Sequence, residues 1–383
     1  MNALWYYAIG FVLIWVIALL FRDKLKIDID GPILLRKTTR LSGIIDSIAQ
    51  KSPKIWRWVM NIGIVVAVFM MAFVLYYLII SLKTVTVAPQ VTIALPGVQV
   101  PGSPIFVPFG FGLIALITVI VVHEFGHGIL ARAEKIDIKS VGVGMIAILP
   151  IAFVEPDDEQ TQKLSTVSKL RIYAAGSIFN MMTAAVALGI FMLLSLFLIP
   201  YALPATGLEI ESVVPGSPAD GVLKAGMVIQ KMNGYDITDR NSFTNNLKNL
   251  KVGDQLTIVT DQGTYSIKTV ANPNSTSTPF IGVKSVEKHD AVSKEVSKIF
   301  GNDIPWALVY IQELLFWIYA LNFGIGLINL LPLKPFDGGL IFEEIVGYWA
   351  SKRVTRIATY AISLISLSLL VINIGAGLFK AII

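Results

Sequence analysis

The segment LIALITVIVVHEFGH, residues 113–127, joins a long apolar run to three titratable side chains. Its first ten residues are apolar except for Thr118, and they are followed by His123, Glu124 and His127. Charged or titratable groups at membrane depth are costly unless they pair, bind a metal or face a water-filled cavity. The segment therefore predicts a membrane helix that carries a functional polar cluster.

The composition of the whole chain also indicates a membrane protein. Of its 383 residues, 55% are hydrophobic and 15% are charged, whereas soluble domains have about 25% charged residues. Runs of roughly 20 apolar residues predict about six transmembrane helices. They lie at residues 3–21, 57–82, 106–130, 171–200, 305–331 and 354–379. The fold class is therefore an α-helical polytopic protein of the lipid bilayer, and the net charge of +5 gives no reason to expect a nucleic acid partner.

Lysine and arginine predict the orientation in the cell membrane. They are concentrated in the 22–57 connection, whereas the 83–105 connection contains only Lys83. The positive-inside rule places the first connection in the cytoplasm. Six crossings then put both termini and segment 201–304 on the extracytoplasmic side.

Three connections are more than linkers. Residues 139–154 are apolar, β-branched and glycine-rich, and they predict a re-entrant β-hairpin with a free edge, or else a short hydrophobic helix. Residues 31–50 predict an interfacial helix or an ordinary basic loop. Residues 205–288 alternate apolar and polar residues between turn signals, which predicts an inserted small α+β domain.

Four regions follow from these patterns. They are 1–105, two transmembrane helices with a basic cytoplasmic loop; 106–200, transmembrane helices with the polar cluster and hairpin 139–154; 205–288, the extracytoplasmic domain; and 305–383, the C-terminal transmembrane helices with Asp337.

The H-E-x-x-H spacing points to a metal site. His123 and His127 are four residues apart, so they share one face of a helix and could bind one Zn²⁺. Glu124 could then act as the general base that activates a zinc-bound water. The alternative is a structural polar cluster between helices.

A third ligand can be sought by elimination. The chain has no cysteine, and its only other histidine, His289, lies in the extracytoplasmic segment. Among the carboxylates near membrane segments, Asp337 follows the fifth span on the same side as His127, within a turn rich in proline and glycine. The alternative is that Asp337 only caps the next helix.

The motifs together resemble those of the site-2 protease family of intramembrane zinc metalloproteases. HEFGH at 123–127 is followed by Gly176 and Asn180 in the fourth span, and by NLLPLKPFDGG at 329–339. The resemblance implies one Zn²⁺ per chain bound by His123, His127 and Asp337, with Glu124 as the base. It also implies that Asn180 and Asn329 bind substrate or support the transition state. The family usually has proline where this chain has Ser177, a difference from which no functional consequence is expected.

The 205–288 insert resembles a PDZ domain of the bacterial protease type. The resemblance rests on GLEI at 207–210, PGSPA at 215–219 and MNG at 232–234. It implies peptide binding by strand addition or a filter on substrate size.

As a whole, the sequence predicts regulated intramembrane proteolysis, with transmembrane proteins or peptides as substrates and the active site towards the cytoplasmic side. A metal or ion transporter is one alternative, although the chain shows no repeated halves. A non-catalytic scaffold that presents a PDZ-like domain is another.

Overall fold

A computed structural model describes residues 3–38, 40–85, 91, 94–100, 103, 105–146, 149–272 and 275–380. The chain forms two compact units, Met1–Phe191 with Glu313–Ile383, and Met192–Gln312. The helices are α1 Ala3–Leu20, α2 Arg22–Leu25, α3 Arg40–Lys51, α4 Pro53–Ser81, α5 Phe109–Ala133, α6 Asp158–Gln162, α7 Thr166–Leu193, α8 Ile199–Ala202, α9 Arg240–Lys248, α10 Lys294–Phe300, α11 Ala307–Asn329, α12 Asp337–Trp349 and α13 Lys352–Lys380.

Five helical segments of the described chain are long and apolar enough to cross a membrane. They are Pro53–Ser81, Phe109–Ala133, Thr166–Ala202, Ile304–Asn329 and Lys352–Gly375. The apolar helix Trp5–Leu20 is shorter. The predicted fold class of a polytopic helical membrane protein is confirmed, with five such helices plus this shorter one.

The zinc-type motif lies on α5, which packs closely against α7. A Cβ atom built on Gly126 would lie 2.7 Å from the backbone oxygen of Ala175, so only glycine permits this approach. Ala174 and Ala175 are fully buried. Small residues let membrane helices approach closely where apolar burial alone provides no driving force.

A buried polar contact joins α4 to α13. The Ser81 hydroxyl donates to Asn373 Oδ1 at 2.6 Å, and Asn373 Nδ2 donates to the backbone oxygen of Leu78 at 3.3 Å. Side-chain hydrogen bonds of this kind hold membrane helices together.

Residues 138–156 form a β-hairpin that belongs to a larger sheet. The strands are β1 Asp28–Asp30, β2 Ile33–Thr38, β3 Ile138–Ile146 and β4 Leu149–Pro156, antiparallel in the order β1-β2-β3-β4. The hairpin tip, residues 147–148, lies outside the described residues. Because β2 covers the other side of β3, the exposed edge on the hairpin side of this sheet is that of β4.

The 31–50 segment contains a helix, as one of the two sequence interpretations expected, but it also contains a strand. Its first part is strand β2, and its second part is helix α3. The apolar side of α3 packs on α5, with Ile45 and Ala49 fully buried. Arg132 of α5 forms an ion pair with Asp46 of α3. The helix therefore buries Ile45 and Ala49 against protein, whereas Ile44 is 49% exposed.

The second unit contains most of the remaining strands in one antiparallel sheet. The strands are β5 Ala205–Val213, β6 Val228–Met232, β7 Tyr235–Asp236, β8 Gln255–Thr260, β9 Gly263–Lys268, β10 Val270–Asn272, β11 Ser275–Phe280 and β12 Val283–His289. The sheet order is β12-β5-β6-β8-β9, β7 pairs with β6, and β10 pairs with β11. Leu208, Ile229 and Ile258 lie in its own hydrophobic core.

Candidate active site

The two motif histidines and Asp337 come together in the first unit. His123 and His127 project from the same face of α5, and their Nε2 atoms are 3.2 Å apart. Asp337 is the first residue of α12. Its Oδ2 lies 3.5 Å from His123 Nε2, and its Oδ1 lies 3.4 Å from His127 Nε2. The three side chains are largely buried, so three potential ligands converge on one small region.

The hydrogen bond of the His127 ring leaves a nitrogen lone pair for a metal. His127 Nδ1 donates to the backbone oxygen of Ile172 at 2.8 Å, because a carbonyl oxygen can only accept. That bond places the ring proton on Nδ1 and leaves the lone pair on Nε2. Asn180 Nδ2 lies 3.3 Å from His123 Nδ1.

Gly176 of α7 forms the wall of the cluster. A Cβ atom built on Gly176 would lie 2.6 Å from His123 Nε2, and it would be closer still to His127 Nε2. The space in front of both ring nitrogens exists only because this position has no side chain. From the sequence alone, Gly176 is recognisable only as a motif residue.

The distances within the cluster fit a tetrahedral zinc site. With Zn–N and Zn–O bonds of about 2.0–2.1 Å, the ligand atoms of a tetrahedron are roughly 3.3–3.4 Å apart. The two nitrogens are 3.2 Å apart, and each lies 3.4–3.5 Å from a different oxygen of Asp337, which is close to that edge length. Two histidines and one carboxylate with an open fourth position are a usual ligand set of catalytic zinc.

Glu124 lies between the cluster and the β-sheet. Its Oε2 accepts a hydrogen bond from the backbone N–H of Val154 at 2.9 Å. Val154 belongs to β4, so the exposed strand edge and the candidate base are in direct contact. The sequence predicted both features separately but not this contact.

Three other carboxylates near the membrane helices are engaged elsewhere. Glu343 pairs with Lys334, and Glu344 lies 3.5 Å from Lys169. Glu155 accepts a hydrogen bond from the Ser140 hydroxyl at 2.7 Å. Among the described residues, the only group of three or more His, Asp or Glu side chains that could hold a metal is His123, His127 and Asp337.

The two asparagines have different surroundings. Asn180 is fully buried beside His123, and its Oδ1 has no hydrogen-bond partner among the described residues. Asn329 is the half-buried last residue of α11. It makes no hydrogen bond to the cluster residues within the described part of the chain.

Ser177 is a residue whose contact the sequence did not reveal. Its side chain is fully buried in α7, and its hydroxyl donates to Asp337 Oδ2 at 2.8 Å. The expectation that this position has no functional consequence is therefore not supported by its contacts. The two residues are 160 positions apart in sequence, so no local pattern connects them.

Comparisons with known proteins identify a family and several relatives. The family model of peptidase family M50 matches residues 111–373. An uncharacterized protein of Methanocaldococcus jannaschii is 29% identical over 85% of this chain and 81% of its own length. A membrane-bound transcription factor site-2 protease homolog of Arabidopsis thaliana is 31% identical over 33% of this chain. The matched part is only 24% of that relative's length.

A relative in Clostridium perfringens, named as a candidate zinc metalloprotease, is 25% identical over 68% of this chain and 94% of its own length. The PDZ domain of an SdrC-like protein from Listeria monocytogenes has 30% sequence identity and a TM-score of 0.20. It covers 21% of this chain and 88% of that domain. Since the family model matches well over half of the chain, the protein belongs to peptidase family M50, the site-2 protease family of membrane metalloproteases.

Proposed function

We propose that this protein is a zinc-dependent intramembrane endopeptidase that cleaves transmembrane segments of other proteins. The observation that carries the proposal is the approach of Asp337 to two histidine Nε2 atoms on a helix whose composition suits a membrane, with separations of 3.2–3.5 Å. Titratable groups at membrane depth are costly unless they pair, bind a metal or face a water-filled cavity, and a metal site would account for them.

His123, His127 and Asp337 are the proposed ligands of one Zn²⁺ per chain. A zinc ion bound there would lower the pKa of a coordinated water to about 7 and polarise the substrate carbonyl. The Ile172 carbonyl keeps the proton of His127 on Nδ1. For His123, an Asn180 amide turned so that Oδ1 faces Nδ1 would accept the equivalent N–H bond, since amide oxygen and nitrogen are assigned by their hydrogen-bond network.

Glu124 is the proposed general base. It follows a ligand directly on α5, and the Val154 N–H holds its carboxylate beside the cluster. Glu124 would take the proton of the attacking water and pass it to the leaving amine of the cleaved peptide bond. Within the described residues, Asn329 makes no hydrogen bond to the cluster. We propose that it contacts the substrate backbone.

The edge of β4 is the proposed docking site for the unwound substrate. A helical substrate hides its peptide bonds, so it must unwind before hydrolysis. Because the N–H of Val154 points away from β3, alternation along the strand gives Ala152 the same outward direction. A substrate strand paired with Ala152 would place its backbone next to Glu124, by the strand addition common in peptide recognition.

We also propose that the site faces the cytoplasmic half of the membrane and that both termini and segment 205–288 are extracytoplasmic. The basic residues of the 22–57 connection support this orientation.

Two variants, compared with wild type for bound zinc and for cleavage of a model transmembrane peptide, test the assignment. Glu124→Gln keeps the shape of the side chain but loses the base, so it should retain zinc and lose cleavage. Asp337→Ala should weaken zinc binding. A Glu124→Gln variant that cleaves as well as wild type would refute the proposed mechanism.

A further inference from the structure

Ser177 and Asp337 meet in a part of the protein that excludes water. Ser177 has no exposed surface, and the side chain of Asp337 is only 10% exposed. The hydroxyl donates to Oδ2 at 2.8 Å. A buried hydroxyl must have a partner, and a hydrogen bond to an ionised carboxylate is stronger than one to a neutral group.

The two oxygens of Asp337 therefore differ. Oδ2 receives the Ser177 hydroxyl and lies 3.5 Å from His123 Nε2, whereas Oδ1 lies 3.4 Å from His127 Nε2. With Oδ2 held, the carboxylate cannot rotate about its Cβ–Cγ bond without breaking a buried hydrogen bond. The contact fixes the plane of the carboxylate relative to the two imidazoles.

This position on α7 also links the parts of the site mechanically. Gly176, the preceding residue, forms the wall against the histidine nitrogens, and Ile172 on the previous turn fixes the tautomer of His127. One helix thus orients a histidine and the carboxylate, although both belong to other helices.

We propose that Ser177 is a positioning residue for the metal site, which holds the Asp337 carboxylate through Oδ2 in the orientation that faces the two histidine nitrogens. The inference rests on the proposed function, because it takes Asp337 as a ligand. Hydrogen-bond partners of metal ligands typically contribute 10–100-fold to metal affinity. Ser177 is therefore expected to raise zinc affinity by this factor without touching the metal itself.

The test measures the zinc dissociation constant of purified full-length protein by competition with a chelator. Ser177→Ala should weaken zinc binding by about 10–100-fold. Cleavage should fall at limiting zinc and recover at saturating zinc. Ser366→Ala is the matched control, because Ser366 is equally buried and its hydroxyl has no hydrogen-bond partner among the described residues. It should bind zinc as wild type does.

A second comparison separates the hydroxyl from any effect on folding. Ser177→Thr keeps a hydroxyl, and Ser177→Val has nearly the same shape without it. The Ser177→Thr protein should bind zinc about 10–100-fold more tightly than the Ser177→Val protein. Equal zinc affinity of Thr and Val, or unchanged affinity of Ser177→Ala, would overturn the inference.

The Asp337→Ala background distinguishes failure of this inference from failure of the proposed function. If Ser177 acts through Asp337, adding Ser177→Ala to Asp337→Ala should change zinc affinity no further, since the two effects are coupled. Wild-type zinc affinity in Asp337→Ala would instead refute the proposed ligand set. Weak binding in Asp337→Ala together with wild-type binding in Ser177→Ala would refute the role of Ser177 alone.

Discussion

Gly176→Ala should destroy the metal site although it adds a single methyl group far from any ligand in sequence. The new Cβ would lie 2.6 Å from His123 Nε2, whereas ordinary contacts begin at 3.4 Å. The ring or the helix must therefore move by roughly 0.8 Å, while zinc–ligand distances tolerate only about 0.2 Å. We expect loss of zinc binding and of cleavage, with an overpacking cost of about 1–3 kcal/mol in stability.

Gly189→Ala is the matched control for this prediction. It lies on the same helix, and its Cβ would meet nothing within 4 Å. It should keep full zinc affinity, and replacing a helical glycine should leave stability unchanged or raise it by up to about 1 kcal/mol. Zinc affinity by chelator competition, thermal unfolding and peptide cleavage would be measured for both variants. Wild-type zinc affinity in Gly176→Ala would refute the reasoning about the wall of the site.

Three further predictions follow from other contacts. Ala152→Pro removes the outward N–H of β4 and should abolish cleavage while zinc stays bound. Ala152→Val keeps that N–H and should remain active. Equal activity of the two variants would exclude strand pairing at Ala152. Asn373→Ala removes the polar contact between α4 and α13 and should lower the free energy of unfolding by about 0.6–1.7 kcal/mol. An unchanged unfolding midpoint would contradict this prediction. Because the chain has no cysteine, a single cysteine introduced at Lys24 or Gln262 can be labelled selectively. With a membrane-impermeant maleimide on intact cells, only the cysteine at position 262 should react. Labelling at position 24 would show that the orientation is the opposite of the proposed one.

Local patterns were sufficient for the helices and for part of the site. Apolar runs of membrane length predicted the five long helices. The four-residue spacing placed His123 and His127 on one face, and elimination selected Asp337. These inferences depend on residues close in sequence, or on the fact that the chain has no cysteine and only three histidines as possible ligands.

Contacts between distant residues could not be read in the same way. The pairing of β2 with β3 joins residues about 100 positions apart, so residues 33–38 carried no signal that a partner strand existed. The apolar face of α3 was visible in the sequence, but a pattern cannot tell whether such a face meets lipid or α5. The Ser177–Asp337 hydrogen bond and the wall formed by Gly176 likewise depend on how α5, α7 and α12 pack.

The most direct test of the central claim is cleavage of a single-span peptide by the purified protein in lipid vesicles, with products identified by mass spectrometry. Wild type should cut within the hydrophobic span, a chelator should stop the reaction and added zinc should restore it, while Glu124→Gln should give no product under any condition. Cleavage that persists after zinc removal, or equal cleavage by Glu124→Gln, would contradict a zinc-dependent intramembrane protease built on His123, His127 and Asp337.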